Sequence, residues 1–292
     1  MASMDLIKKL RDMTQAGVMD AVKALKECGD DLDKAAAWLR EKGIAKAAKK
    51  AGAVVTEGLA KAIASGNYAA IMEINCQTDF VAAGDNFQKL TNEIMSVIAN
   101  VKPQNLDELL AQKLASGMTI AEECTNLTAK IGEKICIRRL TVLTKTDAQD
   151  FQVYEHFNGK IAVILLLSNK TDAEVGKSIA MHTAAMNPKF LNASEVDQEW
   201  IKNETEILRK QTLAEGKPEN RVDMIVKGRI QKSLAEVCLE QQAFIKDPSK
   251  TIKTFLDEKH VKLIKFVRYE VGEGVEKVQT NFADEVAAQM GK

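Results

Sequence analysis

Few residues in this chain are of the types that carry covalent chemistry. Cys76, His182 and Asp79 could on paper supply a nucleophile, a base and an orienting carboxylate. Cys76, however, falls in the alternating run YAAIMEINC at 68–76, where a small buried thiol is the commoner role. The five cysteines (Cys28, Cys76, Cys124, Cys136, Cys238) are scattered, with no CxxC pair and no Cys/His pair at zinc spacing, so reduced thiols are expected. The histidines, His156, His182 and His260, lie far apart in sequence. There is no phosphate-cradling glycine loop, no GxSxG and no HExxH, so neither a cofactor nor a metal is expected.

Recognition chemistry is better represented. The stretch EINCQTDFVAAGDNF at 73–87 sets Phe80 beside Asp79, where a strand pattern gives way to a helical one. A ring at that point either packs into its own core or stands out as an anchor. The alternation breaks at Gln77-Thr78-Asp79, and Gly84 and Asp85 follow closely, which puts Phe80 and its neighbours Thr78 and Val81 at the tip of a connection. An aromatic at an exposed tip is a typical anchor for another protein's pocket, and an adjacent carboxylate can fix the approach. Val18 and Met19, at the start of a second small helix, are likewise apolar beyond what local structure needs.

The elements that must position these residues follow from periodicity. Residues 4–43 read as three short helices, the third capped by Asp30 or Asp31 and ending at Gly43. The alanine- and lysine-rich IAKAAKKAG after it reads as a linker, helical or extended, that joins rather than packs. From 54 onward a hairpin turning at SGN precedes a helix at 86–100. A second hairpin turning at NG (158–159) precedes the helical AEVGKSIAMHTAAM. Both second strands end in a TD turn, at 78–79 and 171–172, which reads as an internal duplication. Between the halves come helices and a strand, with Gly132 at the junction. Residues 195–243 form a charged helical hairpin with a narrow apolar stripe (Ile201, Leu208, Ile225, Ile230, Leu234), split by EGKPEN. A last strand, VKLIKFVRYEVG, extends the second sheet, and NFADEVAAQM is a final helix that docks onto a partner or frays. The class is therefore α+β with antiparallel sheets.

Bulk properties narrow the function. At 292 residues the chain can hold two or more cores, and 46% apolar with 28% charged residues is a globular balance. Forty-one basic residues face forty-one acidic ones, so no net field points to nucleic acid. The basic AAKK (47–50) and RR (138–139) are short and offset by nearby acids. The longest apolar run, IAVILLL, is too short to cross a bilayer. MASMDLIKKLRDM has no apolar signal core, and a cytoplasmic protein is expected.

Six ordered motifs carry a resemblance. NCQTDFVA (75–82), LRDMTQAGVMDAVKAL (10–25), AKIGEKICIRR (129–139), IAMHTAAMNP (179–188), EGKPEN with IVKGRIQK, and FVRYEVGEGVEK (266–277) together resemble the elongation factor Ts family over nearly the whole chain. The resemblance implies a guanine-nucleotide exchange factor, not an enzyme, whose partner is the GTPase elongation factor Tu. It also implies a ubiquitin-associated-like three-helix bundle and linker at 1–53 and a first core subdomain at 54–140. A second core subdomain falls at 141–190 and 244–275, a dimerising helical hairpin at 191–243 and a C-terminal helix at 276–292. Carried over by motif, Arg11, Val18, Met19 and Lys23 form an N-terminal contact face. Asp79 and Phe80 intrude on the partner with Ile131 and Gly132 beside them, and His156 faces the partner's third domain. The chain departs from the family pattern at Gln15, in TQAG where TGAG is usual, and at Val18-Met19, where two methionines are favoured. The stretch around His156 also differs in length. A ubiquitin-like-binding adaptor built on the bundle is the other reading, and it requires residues 1–50 to suffice for binding.

Overall fold

The computed structural model describes residues 3–14 and 16–276. Gln15 and all but the first residue of the C-terminal helix expected at 276–292 lie outside them. The fold is α+β, and its described residues fall into two compact units. The first takes residues up to Ala60, Met72–Leu140 and those from Glu270; the second takes Lys61–Ile71 and Thr141–Tyr269.

Three helices open the chain, the first two amphipathic: α1 (Met4–Thr14), α2 (Val18–Glu27) and α3 (Leu32–Lys50). They bury Ile7, Leu10, Ala21, Ala24, Leu25 and Ala35 in a common core. Asp31 caps α3 by accepting the Lys34 N–H at 3.0 Å, whereas Asp30 takes a left-handed turn at φ +62°. Gly43 does not stop α3, as its type had predicted. The helix runs on to Lys50, so the alanine- and lysine-rich run takes its helical form and stays mostly exposed. The reason lies in a later helix, α7 (Ile120–Ile131). A Cβ on Gly43 would sit 3.2 Å from the Ala129 Cβ of α7, so the missing side chain is what lets the two helices close. Arg40 and Glu122 form an ion pair across the same pair of helices. Gly43→Leu is therefore expected to cost about 1–3 kcal/mol through overpacking. An unchanged urea midpoint would show that the contact is absent in solution.

Strands β1 (Glu57–Ser65) and β2 (Tyr68–Cys76) form a hairpin around Gly66, which turns at φ +62°. Then follow α4 (Asp79–Ala83), α5 (Asp85–Val101), α6 (Leu106–Ala111), α7 (Ile120–Ile131) and β3 (Cys136–Thr144), and the sheet order is β1-β2-β3. Strand β2 is central, and every residue in it is buried. Its polar members, Glu73 and Asn75, are buried with the rest. Helix α5 buries Phe87, Leu90, Ile94 and Ile98, a stripe at helical spacing.

In the second sheet β4 (Asp150–His156) and β5 (Ile161–Leu167) pair antiparallel, from Asp150↔Leu167 to His156↔Ile161. Their connection is not the two-residue NG turn predicted. It is a four-residue loop in which Phe157, Asn158 and Gly159 all have positive φ, of 48°, 53° and 85°. Helix α8 (Ala173–Met186), capped by Asp172, packs Val175, Ile179 and Ala180 against Ile161, Val163 and Leu165 of β5. Helices α9 (Gln198–Ala214) and α10 (Glu219–Val237) form the expected charged hairpin, turning near Gly216. Its most buried side chains are Thr212, Val222 and Val226, while the predicted stripe is only half-buried. Arg209–Asp223 and Arg229–Glu215 bridge the two helices. Short strands β6 (Ala243–Phe244) and β7 (Asp247–Thr251), then α11 (Ile252–Glu258), lead to β8 (Leu263–Glu270), giving the sheet order β4-β5-β8.

Candidate functional site: a braced aromatic tip

The connection between β2 and α5 is built by hydrogen bonds to its backbone. Thr78 is the N-cap of α4: its hydroxyl oxygen accepts the Val81 N–H, satisfying a donor that the helix leaves unpaired. The Asp79 carboxylate accepts the Phe80 N–H at 2.9 Å. Gly84 ends this single turn in an extended conformation and starts α5 directly. With its backbone committed inward, the tip turns Phe80 to solvent. The ring is 85% exposed, the highest exposure among the described large apolar side chains. Asp79 is exposed beside it, while Thr78 and Val81 are half-buried.

The turn is held by a residue that sequence reading overlooked. Glu133 accepts the Gln77 N–H at 3.2 Å and the Thr78 N–H at 3.0 Å on one carboxylate oxygen, and the Thr78 hydroxyl at 2.8 Å on the other. The Lys134 N–H donates in return to the Gln77 side-chain oxygen at 3.0 Å. Gly132, left-handed at φ +88°, ends α7 and lets the chain turn into this clasp. Ile131 and Gly132 are thus brought beside the Thr78–Phe80 tip, half-buried and exposed respectively.

The other predicted contact residues lie elsewhere. Val18, Met19 and Lys23 are exposed on α2, Met19 at 80%. Arg11 is exposed on α1, and its Nε–H donates to the Ala16 carbonyl at 3.3 Å. His156 ends β4 in the second unit. Its Nδ1 shares a hydrogen bond with the Tyr154 hydroxyl at 2.8 Å, and its ring lies 4.2 Å from that of Phe157. Phe157 went unremarked in the sequence because the NG pair made it look like a strand residue, yet it is 71% exposed.

Neither member of the nucleophile–base pair considered from sequence is presented for reaction. Cys76 is buried and its thiol donates to the Thr78 carbonyl at 3.1 Å. His182 is buried, with Nε2 against the Gln242 side-chain oxygen at 3.0 Å and Nδ1 accepting the Ile245 N–H at 3.2 Å. Burial lowers the His182 pKa, which keeps the ring neutral. Among the described residues no group of three His, Cys, Asp or Glu side chains is placed to hold a metal. No described helix is long and apolar enough to cross a membrane.

Comparison with known proteins gives this α+β scaffold a family. Residues 77–273 match the family model described as Elongation factor TS, which puts the chain among the translation elongation factors. Over 292 residues it is 49% identical to Elongation factor Ts of Malacoplasma penetrans (strain HF-2), covering 99% of this chain and 99% of that protein. The chain belongs to the elongation factor Ts family.

Proposed function

We propose that this chain binds elongation factor Tu in its GDP state and speeds GDP release by inserting Phe80, with Asp79 beside it, near the GTPase's magnesium site. The observation that carries the reading is the exposed Phe80 ring on a turn whose Thr78, Phe80 and Val81 amides are hydrogen-bonded. A GTPase holds its nucleotide through phosphate contacts and a magnesium ion, so displacing the elements that position the ion loosens the nucleotide. No covalent step is needed, and the chain is not an enzyme. Coupling is reciprocal: a factor that lowers nucleotide affinity is itself expelled when nucleotide rebinds, so GTP entry completes the cycle.

In this reading Thr78, Val81, Ile131 and Gly132 flank the intruding pair. Arg11, Val18, Met19 and Lys23 form a second contact on the N-terminal module (1–53), and His156 meets the partner's third domain from the second core subdomain (141–190 and 244–275). The first core subdomain (54–140) carries the tip. The hairpin at 191–243 pairs with a second copy, an assignment supported by Ile207, Leu213 and Met224, which are exposed on α9 and α10. The protein works in the cytoplasm.

The test is release of a fluorescent GDP from purified elongation factor Tu with and without this protein. Stimulated release and tighter binding when magnesium is chelated are the expected results; no stimulation discards the reading. Asp79→Ala is expected to slow stimulated release in the same direction as loss of the ring. If it only lowers the melting temperature, Asp79 is a turn residue.

A further inference from the structure

We infer that Glu133 is a positioning residue for nucleotide exchange, acting on the partner chiefly through the orientation of Phe80; the inference rests on the exchange-factor reading above. Its carboxylate is consumed by the turn. One oxygen takes the Gln77 and Thr78 amides and the other takes the Thr78 hydroxyl, at 3.2, 3.0 and 2.8 Å. That hydroxyl, its proton given to Glu133, is left to accept from the Val81 N–H and so start α4. An unbroken chain therefore runs from the end of α7 through Gly132, Glu133 and the Thr78 hydroxyl to the first turn of α4, which bears Phe80. Bonds to an ionised acceptor are the stronger kind and set direction as well as strength.

The need for such a brace is physical. A five-residue helix does not hold itself, because nucleating one turn fixes several torsions for very few hydrogen bonds. A ring 85% exposed has almost no packing of its own to orient it. A wedge that must enter a partner in one direction would otherwise bear the cost of ordering at the moment of binding. The clasp between 77–78 and 133–134 supplies that order in advance. It does so from α7, which is itself fixed by the close approach of Gly43 to Ala129.

Glutamine at 133 keeps the shape but has one acceptor oxygen in place of two, and so cannot satisfy three donors. The test is a double-mutant cycle on fluorescent-GDP release with wild type, E133Q, F80A and E133Q/F80A, alongside amide hydrogen exchange at Thr78 and Val81. E133Q is expected to slow stimulated release on the order of tenfold, as misplacement of a contact group does. It is also expected to remove protection at both amides. In the F80A background E133Q is expected to change the rate by less than about twofold, the signature of two residues acting as one. T78V, which cuts the same chain from the other side, is expected to match E133Q and add nothing to it.

Equal losses from E133Q in the wild-type and F80A backgrounds overturn the inference, because Glu133 would then act by another route. Lost protection with an undiminished rate overturns it too. A wild type that stimulates no release overturns the exchange reading and this inference with it, whereas a working wild type with an equally active E133Q overturns this inference alone.

Discussion

Phe80→Ala is expected to slow stimulated GDP release by about ten- to a hundredfold, the range for truncating an aromatic anchor, while the unfolding midpoint is expected to stay within about 0.5 kcal/mol of wild type, as at an exposed site. The first half follows from the exchange role proposed above, the second from the 85% exposure of the ring. A side chain that buries almost nothing in its own subunit contributes almost nothing to its own core. The two effects also separate the competing accounts of the residue. If Phe80 were a core aromatic caught in an open pose, truncation would cost about 3–5 kcal/mol of stability, as buried phenylalanines do. Reciprocity adds a second readout. The variant should lose more affinity for nucleotide-free elongation factor Tu than for its GDP complex, because only the former has accepted the wedge. Equal losses for the two states would make Phe80 a plain binding contact, and an unchanged release rate would remove its role altogether.

What could be read from sequence was local. The Thr78–Phe80 tip was visible because its signals, a broken alternation and the nearby Gly84 and Asp85, all fall within ten residues. The helices, the two hairpins and the charged α9–α10 pair were visible by their periods. What could not be read depended on distant partners. Gly43 looked like a helix stop because glycine commonly ends helices in a left-handed turn. Here it stays helical, since Ala129, far along the chain, fills the space a side chain would take. Glu133 meets the tip from 55 and 56 residues away, and a lone acid after a glycine carries no local mark of that. Phe157 was hidden by a different error. The NG pair predicted a tight two-residue turn, but His156 pairs with Ile161, and the wider loop pushes the ring out at a positive φ that aromatic residues rarely adopt. Glu73 was lost in an apparently alternating strand, because alternation cannot distinguish a polar residue facing water from one buried against a partner.

Glu73→Gln is expected to be the most damaging single change to stability, at about 3–5 kcal/mol, because it breaks a buried charge cluster from its centre. Glu73 is fully buried in β2. Arg138 reaches both of its carboxylate oxygens, at 3.1 and 3.2 Å, Arg139 holds one of them through Nε–H, and the Gly272 N–H donates to the other at 2.9 Å. The Asn75 side-chain amide adds a further donor at 2.8 Å. The same arginines donate onward to the carbonyls of Glu273 and Glu270, so the carboxylate orders the 270–273 segment as well as the middle of the first sheet. Burial alone would raise the Glu73 pKa, but the Gly272 and Asn75 donors and Arg139 outweigh it and hold the carboxyl below its ordinary 4.5. A group depressed in the folded state contributes stability that is present above its ordinary value and lost as pH falls through the folded one. The gap between wild type and Glu73→Gln in urea unfolding should therefore be wide at pH 7 and narrow below about 4.5, with the Gly272 amide losing exchange protection in the variant. A gap that stayed constant down to pH 3 would mean that the cost is one of shape, and that the two arginines do not need the charge between them.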